Sequence, residues 1–260
     1  MNIGRLCLAV LLVLLAPLHA LAACNKSQPG WLWNYNGELA GKYRIRMTLV
    51  FAGESLSGVY VYASSLKDIP LRGRMIDATH VVLEELDAAG NVSATFDAEF
   101  PEHAPETAYG DSALECEVIR GTWRKTGSET ALPVLLQMEG GTAGSIKHRY
   151  AAIGVKDPET VHRNSQAFWL AVKKDDRKTA ASLIRYPIRV DTSAGRKRYA
   201  SAEELLADYD LIFTPRFREE IGKAFPRNMF VRDEGAMLGS GQVWFGADGK
   251  VTALNNYYGG

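Results

Sequence analysis

The spacing of the hydrophobic residues changes near residue 150, and this change restricts the fold more than any other feature of the sequence. Before that point apolar side chains recur at every second position, as over residues 43–51, which is the period of a strand with one buried side. From Asp157 onward they follow the period of an amphipathic helix, before strands return near the carboxyl terminus. The chain is therefore predicted to have two differently built halves.

The first half, residues 31–150, is predicted to consist of short strands. An Asp-Ala-Ala-Gly-Asn turn at residues 87–91 is typical of a hairpin. Short strands at regular spacing predict an antiparallel β-meander that curls into a barrel or a sandwich. Strands are expected over residues 43–51, 56–63, 69–76, 80–86, 92–100, 114–124 and 132–138.

The second half carries signals for helix starts. Asp157 and Pro158 form an N-cap followed by a first-turn proline, and Ser201 with Glu204 forms a capping box. Beyond the first helix, a strand is expected near Tyr186 and three more over residues 229–255. The predicted order is helices, a strand, a helix and a curved antiparallel sheet.

Four segments of this half form a run that is shared by a group of bacterial envelope proteins. They are the Tyr186-Pro187 strand, the acidic helix at residues 203–209, the Ile-Phe-Thr-Pro run at residues 212–215, and the Gly-Ala-Met-Leu-Gly run at residues 235–239 before Trp244. Over roughly residues 157–256 the chain resembles the NTF2-like domain of those proteins. The resemblance implies a two-domain α+β fold, an antiparallel β-meander followed by an NTF2-like cone of sheet around helices. Such a fold hosts enzymes, binding modules and structural parts alike.

An export signal is predicted at the amino terminus. A positively charged start precedes an apolar run at residues 6–15, which is too short to span a bilayer. Pro17 and the small-x-small pattern at residues 20–22 then fit a signal-peptidase site. The predicted location is the periplasm of a Gram-negative bacterium. The expected domains are a signal peptide at residues 1–23, an antiparallel β domain at residues 24–150 and an NTF2-like α+β domain at residues 151–260.

Two alternatives stay open for Cys24. Ordinary cleavage leaves Cys24 and Cys116 as an even pair in an oxidising compartment, which predicts a disulfide between them. The Leu-Ala-Ala-Cys run at residues 21–24 also resembles the lipobox of bacterial lipoproteins, in which the cysteine is lipidated. Lipidation would make the protein an outer-membrane lipoprotein with an unpaired Cys116, and only then would it contact a membrane.

The charges argue against one class of partner and single out one surface. Lys and Arg total 30, as do Asp and Glu, so the basic excess of a nucleic-acid binder is missing and no nucleic-acid partner is expected. Residues 24–150 hold 12 basic and 16 acidic side chains, whereas residues 151–260 hold 17 and 14. A basic shoulder in the second half could meet an acidic partner or anionic lipid, although a solvated surface is the simpler interpretation. Its members are Lys173, Lys174, Arg177, Lys178, Arg185, Arg189, Arg196, Lys197 and Arg198.

Catalytic motifs are missing from the sequence. It contains no Gly-x-Ser-x-Gly elbow, no His-Glu-x-x-His, no Cys-x-x-Cys and no phosphate-binding Gly-x-x-x-x-Gly-Lys run. The histidines after the leader are widely separated and lack metal-ligand spacing: His80, His103, His148 and His162. We therefore expect no catalytic residue, no metal and no cofactor, and interpret the protein as a non-enzyme.

The candidate ligand site is a group of aromatic residues in the second half. NTF2-like cones often enclose a cavity between sheet and helices, and the resemblance implies that these aromatics line it, with Arg189 as the polar anchor. The predicted site residues are Trp169, Tyr186, Arg189, Tyr209 and Trp244. A filled core is the simpler alternative for the aromatic members.

Export, a predicted disulfide and the lack of catalytic motifs together favour a binding protein. The leading prediction is a periplasmic protein that binds a protein partner, as an inhibitor or immunity-type protein against an envelope-targeted toxin or enzyme. The first alternative is a carrier or sensor for a small apolar ligand in the NTF2-like cavity. The second is an NTF2-like enzyme whose acid/base pair is formed by residues distant in sequence.

Overall fold

The computed structural model describes residues 30–101, 116–232 and 235–257. The predicted signal peptide, its cleavage site, Cys24 and His103 lie outside the described residues. None of the helices within the described ranges is long and apolar enough to cross a membrane.

The first half forms a closed barrel of eight antiparallel strands in sequence order, and β1 pairs with β8 to close it. The strands are β1 (Trp31–Leu39), β2 (Tyr43–Ala52), β3 (Ser55–Tyr62), β4 (Ile69–Met75), β5 (His80–Leu86), β6 (Val92–Glu99), β7 (Val118–Lys125) and β8 (Ala131–Ala143). The predicted hairpin turn joins β5 to β6, where Asp87 Oδ1 accepts a hydrogen bond from the Asn91 backbone N–H at 2.9 Å. The meander expected from the alternation therefore closes into a barrel.

Inward-facing side chains fill the barrel. The inward positions of β2 are apolar and buried: Ile45, Met47, Leu49 and Phe51. The outward-facing Arg46 and Thr48 are also buried, at 3% and 1% exposure. The second half of the chain covers this part of the barrel wall. For example, Arg46 Nε donates a hydrogen bond to the backbone oxygen of Asn228 at 2.9 Å. Strand β2 is thus buried on both sides, which its polar outward positions did not suggest.

The second half, here called the mixed-sheet unit (residues 158–256), contains a six-stranded sheet with the order β10-β9-β14-β13-β12-β11. Its helices are α1 (Pro158–Lys173), α2 (Arg177–Ser182), α3 (Ala202–Ala207), α4 (Tyr209–Ile212) and α5 (Pro215–Lys223). Its strands are β9 (Ile184–Thr192), β10 (Gly195–Tyr199), β11 (Phe230–Arg232), β12 (Gly235–Leu238), β13 (Val243–Phe245) and β14 (Val251–Asn256). Strand β14 pairs in parallel with β9, and the other neighbours are antiparallel.

The hydrophobic core of this unit lies between the helices and one side of the sheet. Phe168 of α1 meets Phe245 of β13 edge-on, with the ring centroids 5.8 Å apart. Phe213, which follows α4, lies 6.2 Å from Phe168 by the same measure. Aromatic contacts of this kind stabilise a core beyond the burial of the rings alone.

The helices begin at the predicted capping residues. The Asp157 side chain accepts a hydrogen bond from the Glu159 backbone N–H at 3.0 Å. Ser201 Oγ accepts from the Glu204 N–H at 3.4 Å, and Glu204 Oε2 accepts from the Ala200 N–H at 2.8 Å. These bonds satisfy donors that a helix start leaves unpaired. Local sequence therefore predicts where α1 and α3 begin.

The predicted α+β class with an NTF2-like cone is wrong. The structure is mainly β, because an eight-stranded barrel is followed by a six-stranded mixed sheet, and α2 to α5 have nine residues or fewer. Short motifs indicate where helices and strands begin, but not which strands become neighbours. Here the last strand, β14, returns to pair in parallel with β9 and makes the sheet mixed. That long-range pairing leaves no signal in the local sequence.

Candidate functional site

Two arginines of β9 lie on one side of the strand, and apolar residues lie on the other. Arg185 and Arg189 are exposed, whereas Ile188 and Val190 are buried in the core. Successive side chains of a strand point to opposite sides, so the arginines lie on the side of the sheet that faces away from the helices. The antiparallel register of β10 then makes Arg198 the direct neighbour of Arg189.

This solvent side of the sheet forms a groove of about 1160 Å³. Six of its fourteen lining residues are basic, and none of the described lining residues is acidic. We call this surface the basic groove; its arginines are Arg185, Arg189, Arg196, Arg198 and Arg232, and Lys197 borders it while its ammonium group turns to Asp208 on the helix side. Pro187 and Trp244 add apolar surface, and Ile153, from the connection to the barrel, also lines the groove. The groove therefore combines concentrated positive charge with an aromatic contact.

Two carboxylates next to the groove neutralise part of its charge. Asp191 Oδ1 lies 2.6 Å from Arg196 Nε, and Asp191 Oδ2 lies 3.9 Å from Arg189 Nε. The hydrogen bond from Arg196 and the charges of both arginines hold the pKa of Asp191 below its usual value. Asp248 pairs in the same way with Arg185, at 2.6 Å between Oδ1 and Nη2.

Arg198 is exposed and forms no ion pair with any residue in the part of the chain that the structure describes. Its guanidinium is therefore available to an external anion. Arg189 is also more than half exposed, since 58% of its side chain remains accessible, and its contact with Asp191 is long. These two neighbours are the strongest candidates for ligand contact.

Trp244 is fixed in the sheet beside these arginines. Its indole N–H donates to the backbone oxygen of Gly241 at 3.1 Å. In the cross-strand row, Ala253 stands between Trp244 and Arg189. Ala253 carries only a methyl group, so no long side chain fills the space between the indole of Trp244 and the guanidinium of Arg189. This space can accommodate a bound chain.

The structure divides the five predicted site residues between the two sides of the sheet. Arg189 and Trp244 lie together in the basic groove. Trp169, Tyr186 and Tyr209 lie on the helix side, packed in or against the core. The five side chains therefore do not share one cavity.

The aromatic residues on the helix side have structural contacts. Trp169 Nε1–H donates to the backbone oxygen of Ile221 at 2.9 Å. Tyr209 stacks on Phe213 with the ring centroids 4.4 Å apart. Aromatic residues at helical spacing indicate a buried helix face. The same spacing occurs whether that face lines an open cavity or packs into a filled core, so the sequence pattern did not distinguish a cavity from a core.

The predicted basic shoulder separates into two groups. Its helical members lie away from the groove: Lys173 Nζ lies 4.1 Å from the centroid of the Trp169 ring, and Arg177 pairs with Asp210 at 2.8 Å. Arg232 of β11 lines the groove but was not among the predicted residues. The signal that identifies the groove is the placement of arginines on the same side of neighbouring strands, rather than the number of basic residues in the segment.

A second polar cluster lies where the barrel meets the mixed-sheet unit. Arg149 is only 1% exposed, and its guanidinium donates to Asn34 Oδ1 (3.0 Å) and Thr48 Oγ1 (2.8 Å) of the barrel. It also donates to the backbone oxygen of Asn228, at 3.3 Å. Burial lowers the pKa of Arg149 to about 10, so the side chain stays charged at neutral pH. One buried cation thus connects both halves of the chain.

An ion-pair network extends this junction. Arg227 contacts Asp68 of the barrel at 2.8 Å and Glu159 of α1 at 2.7 Å. His162 is buried beside them, with Nδ1 3.2 Å from Glu159 Oε1. Burial and the charge of Arg227 lower the pKa of His162 to about 4, so its ring is neutral at pH 7. All of these groups have partners within the junction, so we interpret the network as structural.

Cys116 is buried and disulfide-bonded. The other cysteines of the chain, Cys7 and Cys24, lie outside the described residues. The described ranges contain no cluster of three or more His, Cys, Asp or Glu side chains that could hold a metal ion.

Comparison with protein-family models, with curated proteins and with solved structures gives no match to this chain.

Proposed function

We propose that this protein is an exported, non-enzymatic binding protein that holds an acidic segment of a protein partner in the basic groove. The proposal is carried by one observation: five arginines line one groove, and no acidic residue is among its described lining residues. Guanidinium groups bind carboxylates through paired hydrogen bonds. The groove therefore fits a ligand that presents several carboxylates.

The chemistry of the groove supports binding rather than catalysis. Arginine stays protonated at physiological pH and does not act as a proton acceptor. The described lining residues include no His, Cys, Asp, Glu or Tyr, which are the side chains that most often transfer protons or attack substrates. Such a groove can hold and orient an anion.

The size of the groove favours a segment of a protein over a small molecule. Pockets for small ligands have volumes of about 300–1,000 Å³, and this groove reaches about 1160 Å³. Its basic residues come from β9, β10 and β11, so they span the whole sheet. An extended chain can reach several of these residues at once.

Export to the periplasm is part of the proposal. The disulfide at Cys116 supports it, because such bonds persist in oxidising compartments. We propose Cys24 as the partner of Cys116, which makes the protein soluble rather than lipid-anchored. The role we propose there is that of an inhibitor or immunity-type protein, since neutralising an envelope-targeted toxin or enzyme requires binding alone.

The test measures the affinity of the mature protein, residues 24–260, for a fluorescent peptide of alternating acidic and apolar residues. Fluorescence anisotropy gives Kd for the wild type and for a variant carrying Arg189→Glu and Arg198→Glu. We expect the variant to bind at least about tenfold more weakly, because both arginines would repel the peptide. Raising the ionic strength from about 50 mM to about 500 mM should weaken the wild-type complex as well.

The matched control carries Lys174→Glu and Lys178→Glu, the same change in charge on the helix side of the unit. We expect its Kd to stay within about twofold of the wild type. Equal weakening by both variants would show attraction by net charge alone and would overturn the assignment of the groove. For the native partner, a stoichiometric complex recovered from envelope extract should form with the wild type and the control but not with the groove variant.

A further inference from the structure

Strand β10, the edge of the mixed sheet, borders the basic groove. One side of β10 pairs with β9, and no other described strand pairs with its outer side. Residues 195–198 are exposed. An edge strand presents alternate backbone N–H and C=O groups that can pair with another extended chain.

The opposite edge of the sheet, β11, is already occupied. It faces β8 of the barrel, where Thr142 Oγ1 donates to the backbone oxygen of Val231 at 2.8 Å. At β10, the one such contact among the described residues is at the turn, where Thr192 Oγ1 donates to the Gly195 oxygen at 3.1 Å. Of the two edges, β10 is therefore the one available to a partner.

The two sides of β10 differ in charge balance. On the helix side, Asp208 Oδ2 accepts from Lys197 Nζ at 2.5 Å and from Tyr199 Oη at 2.9 Å. This contact neutralises Lys197 and fixes the strand to the unit. On the groove side, Arg196 donates two hydrogen bonds to Asp191, at 2.6 and 3.2 Å, in a carboxylate contact that Asp191 shares with Arg189, and Arg198 has no ion-pair partner among the described residues. The strand is therefore held in place on one side and positively charged on the other.

We infer that the partner's acidic segment binds by adding a strand to the β10 edge, with carboxylates at alternate positions facing Arg196 and Arg198. This inference rests on the proposed function and specifies how the segment is held. Side chains two residues apart on an added strand point to the same side, so such a pair of carboxylates matches the pair of arginines. The same charges repel basic strands and penalise apolar ones, which makes the open edge selective.

The test leaves the protein unchanged and alters the peptide. Two versions of the acidic peptide are N-methylated, one at even and one at odd backbone positions, and their Kd values are compared with that of the unmodified peptide. In an added strand only alternate N–H groups point toward β10, so one version should lose at least about tenfold in affinity. The other version should stay within about threefold.

Equal affinities for the two N-methylated versions would overturn strand addition. If the unmodified peptide were then still weakened by the Arg189→Glu, Arg198→Glu variant, the groove would stand as the site and side-chain contacts alone would hold the ligand. If the unmodified peptide failed to bind at all, the proposed function and this inference would both be overturned.

Discussion

The barrel and the mixed-sheet unit use the two sides of a β-sheet in opposite ways. The barrel closes on itself, so its sheet keeps no free edge and its inward side chains fill the interior. The mixed-sheet unit covers one side of an open sheet with helices and leaves the other side as the basic groove. Packing and the proposed recognition therefore lie in different places, since the barrel and the junction hold the buried contacts and the open sheet carries the proposed binding site.

Removing the buried cation of the junction should have the largest effect on stability. Arg149→Ala leaves the oxygens of Asn34, Thr48 and Asn228 without this donor and opens a cavity. We expect the free energy of unfolding to fall by about 3–5 kcal/mol, measured by urea denaturation. The matched control is Arg198→Ala in the groove, which should change it by less than about 0.5 kcal/mol. Comparable losses in the two variants would erase the contrast between junction and groove.

Loss of the disulfide should destabilise the barrel, because Cys116 is part of the barrel core. Cys116→Ser removes a cross-link that we expect to contribute about 3 kcal/mol, and Cys24→Ser should cost the same if Cys24 is the partner. The double variant should be no less stable than either single one. A Cys24→Ser protein as stable as the wild type would exclude Cys24 as the partner. Intact mass should show residues 24–260 without lipid, lighter by two hydrogen atoms before reduction.

Acid should weaken the junction through His162. The unfolded chain binds a proton at this ring below its ordinary pKa of 6.5, whereas the folded protein does so only below about 4. Between these values the unfolded state binds more protons, so stability falls as the pH is lowered through this window. The loss from this group should approach about 3 kcal/mol at pH 4.

The variant His162→Gln removes the titrating ring and keeps a polar side chain. Its unfolding free energy should depend less on pH between 6.5 and 4 than that of the wild type. Glu159 acts mainly below this window, because the hydrogen bond from Arg227 lowers its pKa to about 2 and its contribution is lost as the pH falls from 4.5 toward that value. Identical slopes for the two proteins would show that His162 does not sense the acid.

Seven of the eight barrel strands were predicted from sequence, because alternating apolar residues indicate a strand locally, whereas β1 (Trp31–Leu39) lacks a regular alternation and was not predicted. The burial of Arg46, Thr48 and Arg149 could not be predicted, since it arises only where the second half of the chain covers the barrel. Polar side chains at outward positions of a strand look solvated until a distant segment is placed on them. The same limit explains the wrong fold class, because the pairing of β14 with β9 is equally long-range.

The predicted ligand site was a cavity between the sheet and the helices, whereas the groove lies on the other side of the sheet. Arg189 and Trp244 lie in the groove, whereas Trp169 and Tyr209 belong to the core. An aromatic residue in a helix is buried whether it lines a cavity or fills the core, so the sequence alone cannot assign it to a cavity. The even spacing of the arginines, at 185 and 189 in β9 and at 196 and 198 in β10, was present in the sequence, but it points to a shared surface only when the two strands are known to be neighbours.

The claim that the open sheet binds and the barrel does not is tested most directly by one matched comparison. Arg74→Glu and Arg124→Glu reverse two exposed charges on the barrel, as Arg189→Glu and Arg198→Glu do in the groove. Both double variants change the net charge equally, and Kd for the acidic peptide is measured for each. We predict at least about tenfold weaker binding for the groove variant and a change within about twofold for the barrel variant. Equal losses, or a larger loss from the barrel variant, would contradict the claim.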